Sequence, residues 1–367
     1  MRNPTNNITA KEKHFIMLAF EQAKINLGST NENPSVGCVI EQNGSIISSG
    51  CTSRNGRPHA EQNALKNNSK KFSGSNIYLS MEPCNIKGKT KSCTKLIFKK
   101  KIKKVIFSSN DHDFRTKDKA KKFLSKNGIR VKEGVLKKFG TNFYKYHFIK
   151  HNEILPYLDG KIAISKDYYT ISKNSKWITN QYSRKRVQLL RSNYDCLLTT
   201  SKTINDDNPM LSVRIEGLEK KSPAIAIYDR FFKIKKNLKI VKAAKNRKMY
   251  LFIHKRNKSR EIFFKKKGFK IFALNKRTNK DNFEELLKTL KRKNFSRIFL
   301  ESGLKFLSFI LNGNYINNLY VFKSNKNLKK YGVNNINSSF LKKIKLKRKI
   351  NVNLLGDNLY KVEFNYV

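Results

Sequence analysis

The chain alternates between stretches with a helical spacing of apolar residues and short apolar runs bounded by turn formers, the pattern of an α/β protein. Residues 11–27 (KEKHFIMLAFEQAKINL) carry apolar positions at Phe15, Ile16, Leu18, Ala19, Ala23 and Leu27, a helical period that Gly28 would stop. NENPSVGCVIEQNGSIISSG reads as two strands joined at Asn43-Gly44, residue types that accept the positive φ of a hairpin turn. PHAEQNALKNN opens a helix at about Pro58, since proline is tolerated in a first turn. NIYLSMEP is a strand ending at Pro83-Cys84, and SCTKLIFKK begins a helix around Cys93. KKVIFSSND is the next strand, followed by a lysine-rich helix over 116–127 and a short strand at Ile129.

Residues 139–156 link this half to a second α/β unit beginning at Pro156. Its strands are expected near 157–165, 194–200, 223–228, 249–253, 270–273 and 297–301, with helices at 180–192, 281–292 and 303–312. The asparagine- and lysine-rich tract 324–350 is weakly patterned, and no internal repeat is visible. A length of 367 residues suits two cores, so the expected domains are 1–150 and 151–367.

No apolar run approaches the roughly 20 residues of a membrane span, and the polar N-terminal stretch lacks the apolar centre of a secretion signal. A soluble, cytoplasmic protein is expected. Five cysteines are too few and too scattered for a disulfide framework. Cys38, Cys51 and Cys196 are then most simply small buried hydrophobes. The net charge of +53 would attract phosphate. Lysine and asparagine are nevertheless spread through every segment, with no aromatic-interleaved RNA motif or arginine-rich arm. The charge therefore reads as a solvated, compositionally biased surface, with no nucleic-acid partner expected.

Candidate chemistry concentrates at His59-Ala60-Glu61, Pro83-Cys84 and Cys93. One imidazole and two thiolates make three zinc ligands and leave a tetrahedral position for water, the arrangement of a catalytic site. Glu61 stands too close to His59 to be an ordinary fourth ligand but can shuttle protons. The H-x-E…P-C…C order is that of the zinc deaminases, whose glutamate acts as acid and base. His14 reads as a surface residue, and His147 and His151, lacking a carboxylate motif, as structural or surface residues.

These motifs resemble those of the bifunctional riboflavin-biosynthesis deaminase–reductase family over nearly the whole chain. Asn33-Pro34-Ser35-Val36-Gly37-Cys38-Val39-Ile40 is similar to N-P-x-V-G-C-V-I, and Glu82-Pro83-Cys84 with Gly88, Thr90 and Cys93 to E-P-C-S-H-x-G-[RK]-T-P-P-C. The long gap between the two cysteines differs from the C-x-x-C usual in nucleic-acid and cytidine deaminases. Lys161-x-Ala163-x-Ser165-x-Asp167, Ser175-Lys176-Trp177-Ile178-Thr179 and Val187-Gln188-Leu189-Leu190-Arg191 are similar to reductase motifs. So are Thr203-Ile204-Asn205-Asp206-Asp207-Asn208-Pro209-x-Leu211-x-x-Arg214 and Glu301-Ser302-Gly303. Departures include Asn85-Ile86-Lys87 for S-H-x, Lys91-Ser92 for Pro-Pro, Lys166 for an apolar residue and Tyr168 for glycine.

The resemblance implies an N-terminal cytidine-deaminase-like three-layer sandwich and a C-terminal dihydrofolate-reductase-like α/β domain. It implies hydrolytic deamination of a small-molecule phosphoribosyl diaminopyrimidine, then NADPH-dependent reduction of the ribosyl group to a ribityl chain. His59, Cys84 and Cys93 would hold zinc, Glu61 would transfer protons, and Asn33 and Lys89 would contact the first substrate. Lys161, Asp207 and Glu301 would surround the reacting sugar, with Ser175, Arg191, Leu211 and Arg214 binding substrate. Ala163, Trp177, Thr203, Asp207, Ser302 and Gly303 would lie along the NADPH cofactor. Trp177 has core packing as its alternative. The family commonly assembles through its sheets, so a homo-oligomer is expected. Two other functions remain open to the residues themselves: a nucleic-acid base deaminase, and a deaminase carrying a non-catalytic reductase domain.

Overall fold

Thr9 starts the first helix, α1 (Ala10–Lys24), through a capping box: its hydroxyl accepts from the Glu12 N–H, and the Glu12 carboxylate accepts from the Thr9 N–H. Phe15, Ile16, Ala19, Phe20 and Ala23 form the buried stripe of that helix. The computed structural model describes residues 8–364 except 32, 67–70, 87–91, 112–117, 153–154 and 338, with only the backbone described for helical residues 148–152. The chain divides into two compact units, Met1–Glu153 and Ile154–Val367.

In the first unit, β1 (Gly37–Gln42) and β2 (Ser45–Cys51) form the expected hairpin, with Asn43 and Gly44 at φ 51° and 88°. After α2 (Ala60–Ala64) come β3 (Asn76–Met81), α3 (Cys93–Lys99), β4 (Lys104–Ser109), α4 (Lys119–Lys126), β5 (Arg130–Lys132) and α5 (Lys137–Asn152). The sheet order is β2-β1-β3-β4-β5, with β1 antiparallel to both neighbours and the last three strands parallel. Gly37 lets α1 press onto one face: a Cβ there would sit 1.8 Å from the Ala19 carbonyl oxygen. Gly50 does the same for α2 on the opposite face, where a Cβ would stand 2.6 Å from the Ala60 carbonyl. Helices on both faces make three layers.

The second unit contains β6 (Tyr157–Ile164), β7 (Ile171–Ser172), α6 (Gln181–Arg191), β8 (Cys196–Thr200), α7 (Ser201–Asp207) and β9 (Ala224–Asp229). Then follow α8 (Lys239–Lys242), β10 (Met249–Ile253), α9 (Lys258–Lys266), β11 (Phe269–Ala273), α10 (Asn279–Arg292), β12 (Arg297–Glu301) and α11 (Leu304–Asn312). The last elements are β13 (Asn318–Lys323), β14 (Gly332–Val333), α12 (Ser339–Lys343) and β15 (Asn358–Glu363). Eight strands form one sheet in the order β11-β10-β9-β8-β12-β6-β13-β15, parallel except for β15. Strand alternation divides β6 between two environments. Leu158, Ile162 and Ile164 join an apolar core with Leu286, Leu307 and Leu319, whereas Asp159, Lys161 and Ala163 occupy the other face.

Several expectations change. The weakly patterned tract 324–350 holds β14 and α12. The polar helix α7 and the strands β13 and β15 carry no strong period and were not anticipated from the sequence. Cys38 and Cys196 are buried as expected, but Cys51 is only half-buried and accepts from the Asn26 amide at 3.4 Å. None of the five cysteines forms a disulfide. His147 is buried, which makes it structural, while the side chain of His151 lies outside the described residues. Among the described residues, no helix is long and apolar enough to cross a membrane.

Candidate functional site

The helix at the centre of the first unit starts later than Pro58 suggests. His59 is extended (ψ 163°) and caps α2, with its N–H donating to the Gln62 side chain at 3.1 Å. The displacement has a steric reason, because an extended His59 can turn its ring toward the cysteines while Glu61 enters the buried first turn. His59 Nδ1 lies 3.6 Å from Cys84 Sγ and 3.5 Å from Cys93 Sγ. All three donor atoms fall within 4.8 Å of one another. A tetrahedron with ordinary zinc–sulfur and zinc–nitrogen bonds has an S···N edge of about 3.6 Å, so the donor set fits zinc in both chemistry and spacing. Cys84 stands three residues past the end of β3, and Cys93 is the first residue of α3, whose cap is Ser92.

Glu61 is only 3% exposed. Burial pushes its carboxyl up to about 7, with the Cys84 charge adding to the rise and His59 opposing it. The Cys93 thiol hydrogen-bonds toward both Glu61 and Cys84, which holds the Cys84 thiol well below its ordinary value and leaves Cys93 above it. Burial works against a charged His59, but its bond to Cys84 and the Glu61 charge raise it overall.

Three surrounding residues have structural partners. The Asn33 amide donates to the Gly56 carbonyl at 3.0 Å, fixing the loop ahead of His59. Glu82, next to the site in sequence, accepts from the backbone N–H groups of Asp111, Asp118 and Ala120 at 3.1, 3.3 and 3.2 Å. It thus ties Asp111, Asp118 and Ala120 to the residue that follows β3. Asn85, where the related motif has serine, accepts from Thr94 Oγ1 at 2.5 Å. Lys89 lies outside the described residues.

In the second unit, Glu301 ends β12 opposite Lys161 of β6 in parallel register, so the two side chains share a sheet face. Arg191, the last residue of α6, meets Glu301 in a two-pronged ion pair at 2.5 and 3.0 Å. Its remaining terminal nitrogen donates to the Ser212 carbonyl at 3.0 Å. Each nitrogen of this guanidinium has a protein partner. Burial would raise the Glu301 carboxyl, but the Arg191 charge and hydrogen bonds outweigh it and hold the group below its ordinary value. Burial lowers Lys161, opposed by Glu301 and Asp207. Asp207, an exposed residue closing α7, is raised by local desolvation and by neighbouring Asp206, against the pull of Lys176 and Lys161.

The residues expected along a cofactor divide into two groups. Gly303 N–H donates to Thr203 Oγ1 at 3.3 Å, joining the start of α11 to α7, and Ser302 adjoins that bond. Ala163 packs beside Val187, Leu190, Tyr194, Phe299 and Phe322 on the Lys161 face. Trp177 is 53% exposed beneath the Arg184 guanidinium at 4.7 Å, which excludes core packing. Ser175 Oγ is bonded to both the N–H and the carbonyl of Trp177. Leu211 is buried and Arg214 exposed.

Sequence reasoning missed Arg247, which reaches the 210–212 segment from before β10, and the buried Asp159–Tyr194 bond of 2.5 Å. The alternation Asp159-x-Lys161-x-Ala163 signals the second. No local pattern signals the first.

Two family patterns match this chain: the cytidine and deoxycytidylate deaminase zinc-binding region over residues 9–109, and the RibD C-terminal domain over residues 156–326. The riboflavin biosynthesis protein RibD of Buchnera aphidicola subsp. Baizongia pistaciae is 30% identical over 333 residues, covering 88% of this chain and 89% of that one. The chain belongs to the RibD family. This RibD-family chain is a bifunctional riboflavin-biosynthesis enzyme, with a zinc-binding deaminase region and a reductase domain. The RibD of Actinobacillus pleuropneumoniae is 29% identical, with 87% of this chain and 85% of that one covered. In fold, the chain is similar to an Acinetobacter baumannii RibD structure at a TM-score of 0.80, 24% identity, and coverage of 96% and 98%. The same values hold for a Thermotoga maritima protein described as a diaminohydroxyphosphoribosylaminopyrimidine deaminase and 5-amino-6-(5-phosphoribosylamino)uracil reductase.

Proposed function

We propose that the first unit hydrolyses the ring amino group of 2,5-diamino-6-(5-phosphoribosylamino)pyrimidin-4(3H)-one, releasing ammonia. The second unit then reduces the ribosyl group of the resulting aminouracil to a ribityl chain with NADPH. The observation that carries the first step is the spacing of His59 Nδ1, Cys84 Sγ and Cys93 Sγ, with the buried Glu61 carboxyl two residues from the imidazole.

His59, Cys84 and Cys93 would hold zinc, which when bound makes water a nucleophile near neutral pH. Glu61 takes a proton from that water and delivers it to the departing amine, so water and amine become a ring carbonyl and ammonia. A carboxyl raised by burial suits both acceptance and donation. Asn33 and Lys89 contact the substrate in this reading.

For reduction, NADPH supplies a hydride and the protein must supply a proton. Lys161, Asp207 and Glu301 surround the sugar, and the lysine, lowered by burial within the field of both carboxylates, is suited to proton transfer. Ser175, Arg191, Leu211 and Arg214 receive the substrate, with Arg191 also orienting Glu301. Ala163, Trp177, Thr203, Asp207, Ser302 and Gly303 border the cofactor, where the open space beside Gly303 admits close approach. The protein works as a homo-oligomer on this small molecule, without nucleic acid.

A coupled assay with the phosphoribosyl diaminopyrimidine, following ammonia and NADPH together, tests both steps. Ammonia release followed by NADPH oxidation is expected. Ammonia alone would refute the reductive step, and neither product from zinc-loaded protein would refute the substrate.

A further inference from the structure

Residues 210–212 have no regular secondary structure, and Leu211 sits in the left-handed region at φ 51°. A leucine does not adopt that backbone without external restraint. The restraint comes from other elements. Arg247 Nη1 donates to the Met210 carbonyl at 3.2 Å and Nη2 to the Leu211 carbonyl at 2.9 Å, while Nε donates to the Pro223 carbonyl ahead of β9. Arg191 takes the next carbonyl, that of Ser212. Three consecutive carbonyls therefore accept from two guanidinium groups.

The following residues are also held by side chains: Val213 N–H donates to Ser222 Oγ at 2.9 Å and Arg214 N–H to Gln188 Oε1 at 2.7 Å. Among the described residues, no hydrogen bond or ion pair joins Arg247 to a carboxylate. Its donors go to the backbone, and Glu301 stabilises its charge only through the surrounding field. A planar fork can serve two adjacent carbonyls at once, which a lysine ammonium cannot reproduce.

We infer that Arg247 is a positioning residue of the reductase, holding residues 210–212 so that Leu211 and Arg214 are presented to the phosphoribosyl substrate. The inference rests on the proposed roles of Leu211 and Arg214 in substrate binding. Arg247 itself acts through the loop. Its loss should therefore weaken capture of the substrate more than the hydride step, and should leave cofactor capture unchanged.

The test is steady-state reduction by the full chain carrying Arg247→Lys or Arg247→Met, with deaminase activity as a folding control. Both variants should raise the KM for the aminouracil substrate about tenfold while kcat and the KM for NADPH stay near the parent values, the signature of lost substrate binding. A fall in kcat with unchanged KM, equal rises in both KM values, or failure of both variants to fold would assign Arg247 a general structural role and overturn the inference. Arg214→Ala separates the two levels. An unchanged substrate KM in that variant sinks the loop's binding role, whereas a raised KM there with unchanged KM in both Arg247 variants sinks the positioning role alone.

Discussion

Glu301→Gln should destabilise the second unit well beyond an ordinary surface substitution. The side chains of Arg191 and Glu301 are only 13% and 10% exposed and share two hydrogen bonds. Removing one partner of such a pair leaves a desolvated charge, a cost of roughly 3–5 kcal/mol. Arg191→Met should cost a similar amount, with a further ~1–3 kcal/mol if the Ser212 carbonyl is left unsatisfied. The double variant Arg191→Met with Glu301→Leu should lose much less than the sum, giving a coupling of about 2–3 kcal/mol. Urea unfolding followed by tryptophan fluorescence measures this directly, because Trp177 is the only tryptophan and belongs to the second unit. The carboxyl is held below its ordinary value, so the pair's contribution should be complete near neutrality and fade as pH falls through the carboxylate range. Additive single-variant costs, or a Glu301→Gln cost below about 1 kcal/mol, would match an exposed pair and refute the buried clamp.

Glu61→Gln should retain zinc by metal analysis while deamination falls by about 10²–10⁴-fold, the usual range for a lost acid–base group. Zinc loss in that variant would instead make Glu61 a support of the metal site. Gly37→Ala should destabilise the first unit by roughly 1–3 kcal/mol in far-UV circular dichroism melts, because α1 must retreat from the new methyl group. Stability equal to the parent would show that the helix does not press on β1. Glu12, bridging Lys104 and Lys132, has its carboxyl lowered to about 2 despite the opposing effect of burial. Its stabilising contribution is present above the unfolded value of 4.5 and is lost as pH falls toward 2. Glu12→Gln should cost roughly 1–3 kcal/mol at neutral pH, after allowance for the partly exposed lysines, and the gap should close on acidification. A gap independent of pH would refute the ionic origin.

The strands of the first unit and most of those in the second were legible because their apolar runs end at clear turn residues. Asn43-Gly44 defines a hairpin by backbone chemistry alone. Helix α7 was hidden because SKTINDD is polar apart from the buried Ile204; its start depends on the Thr200 cap. Strand β15 was hidden because an edge strand half-exposed to solvent has no strong alternation.

The zinc-type donor set was readable because metal chemistry demands few residue types in a narrow order. Sequence alone therefore determined the two-unit α/β organisation and the candidate ligands, through local periodicity and donor chemistry. Tertiary structure decided the rest. It brought His59 Nδ1 to nearly equal distances from two thiols, joined Arg191 to Glu301 across 110 residues of chain, and set Arg247 against carbonyls more than 30 residues away. A guanidinium has the same local sequence signature whether it meets solvent, substrate or a carboxylate. Only the packing of distant elements selects its partner, and with it the role.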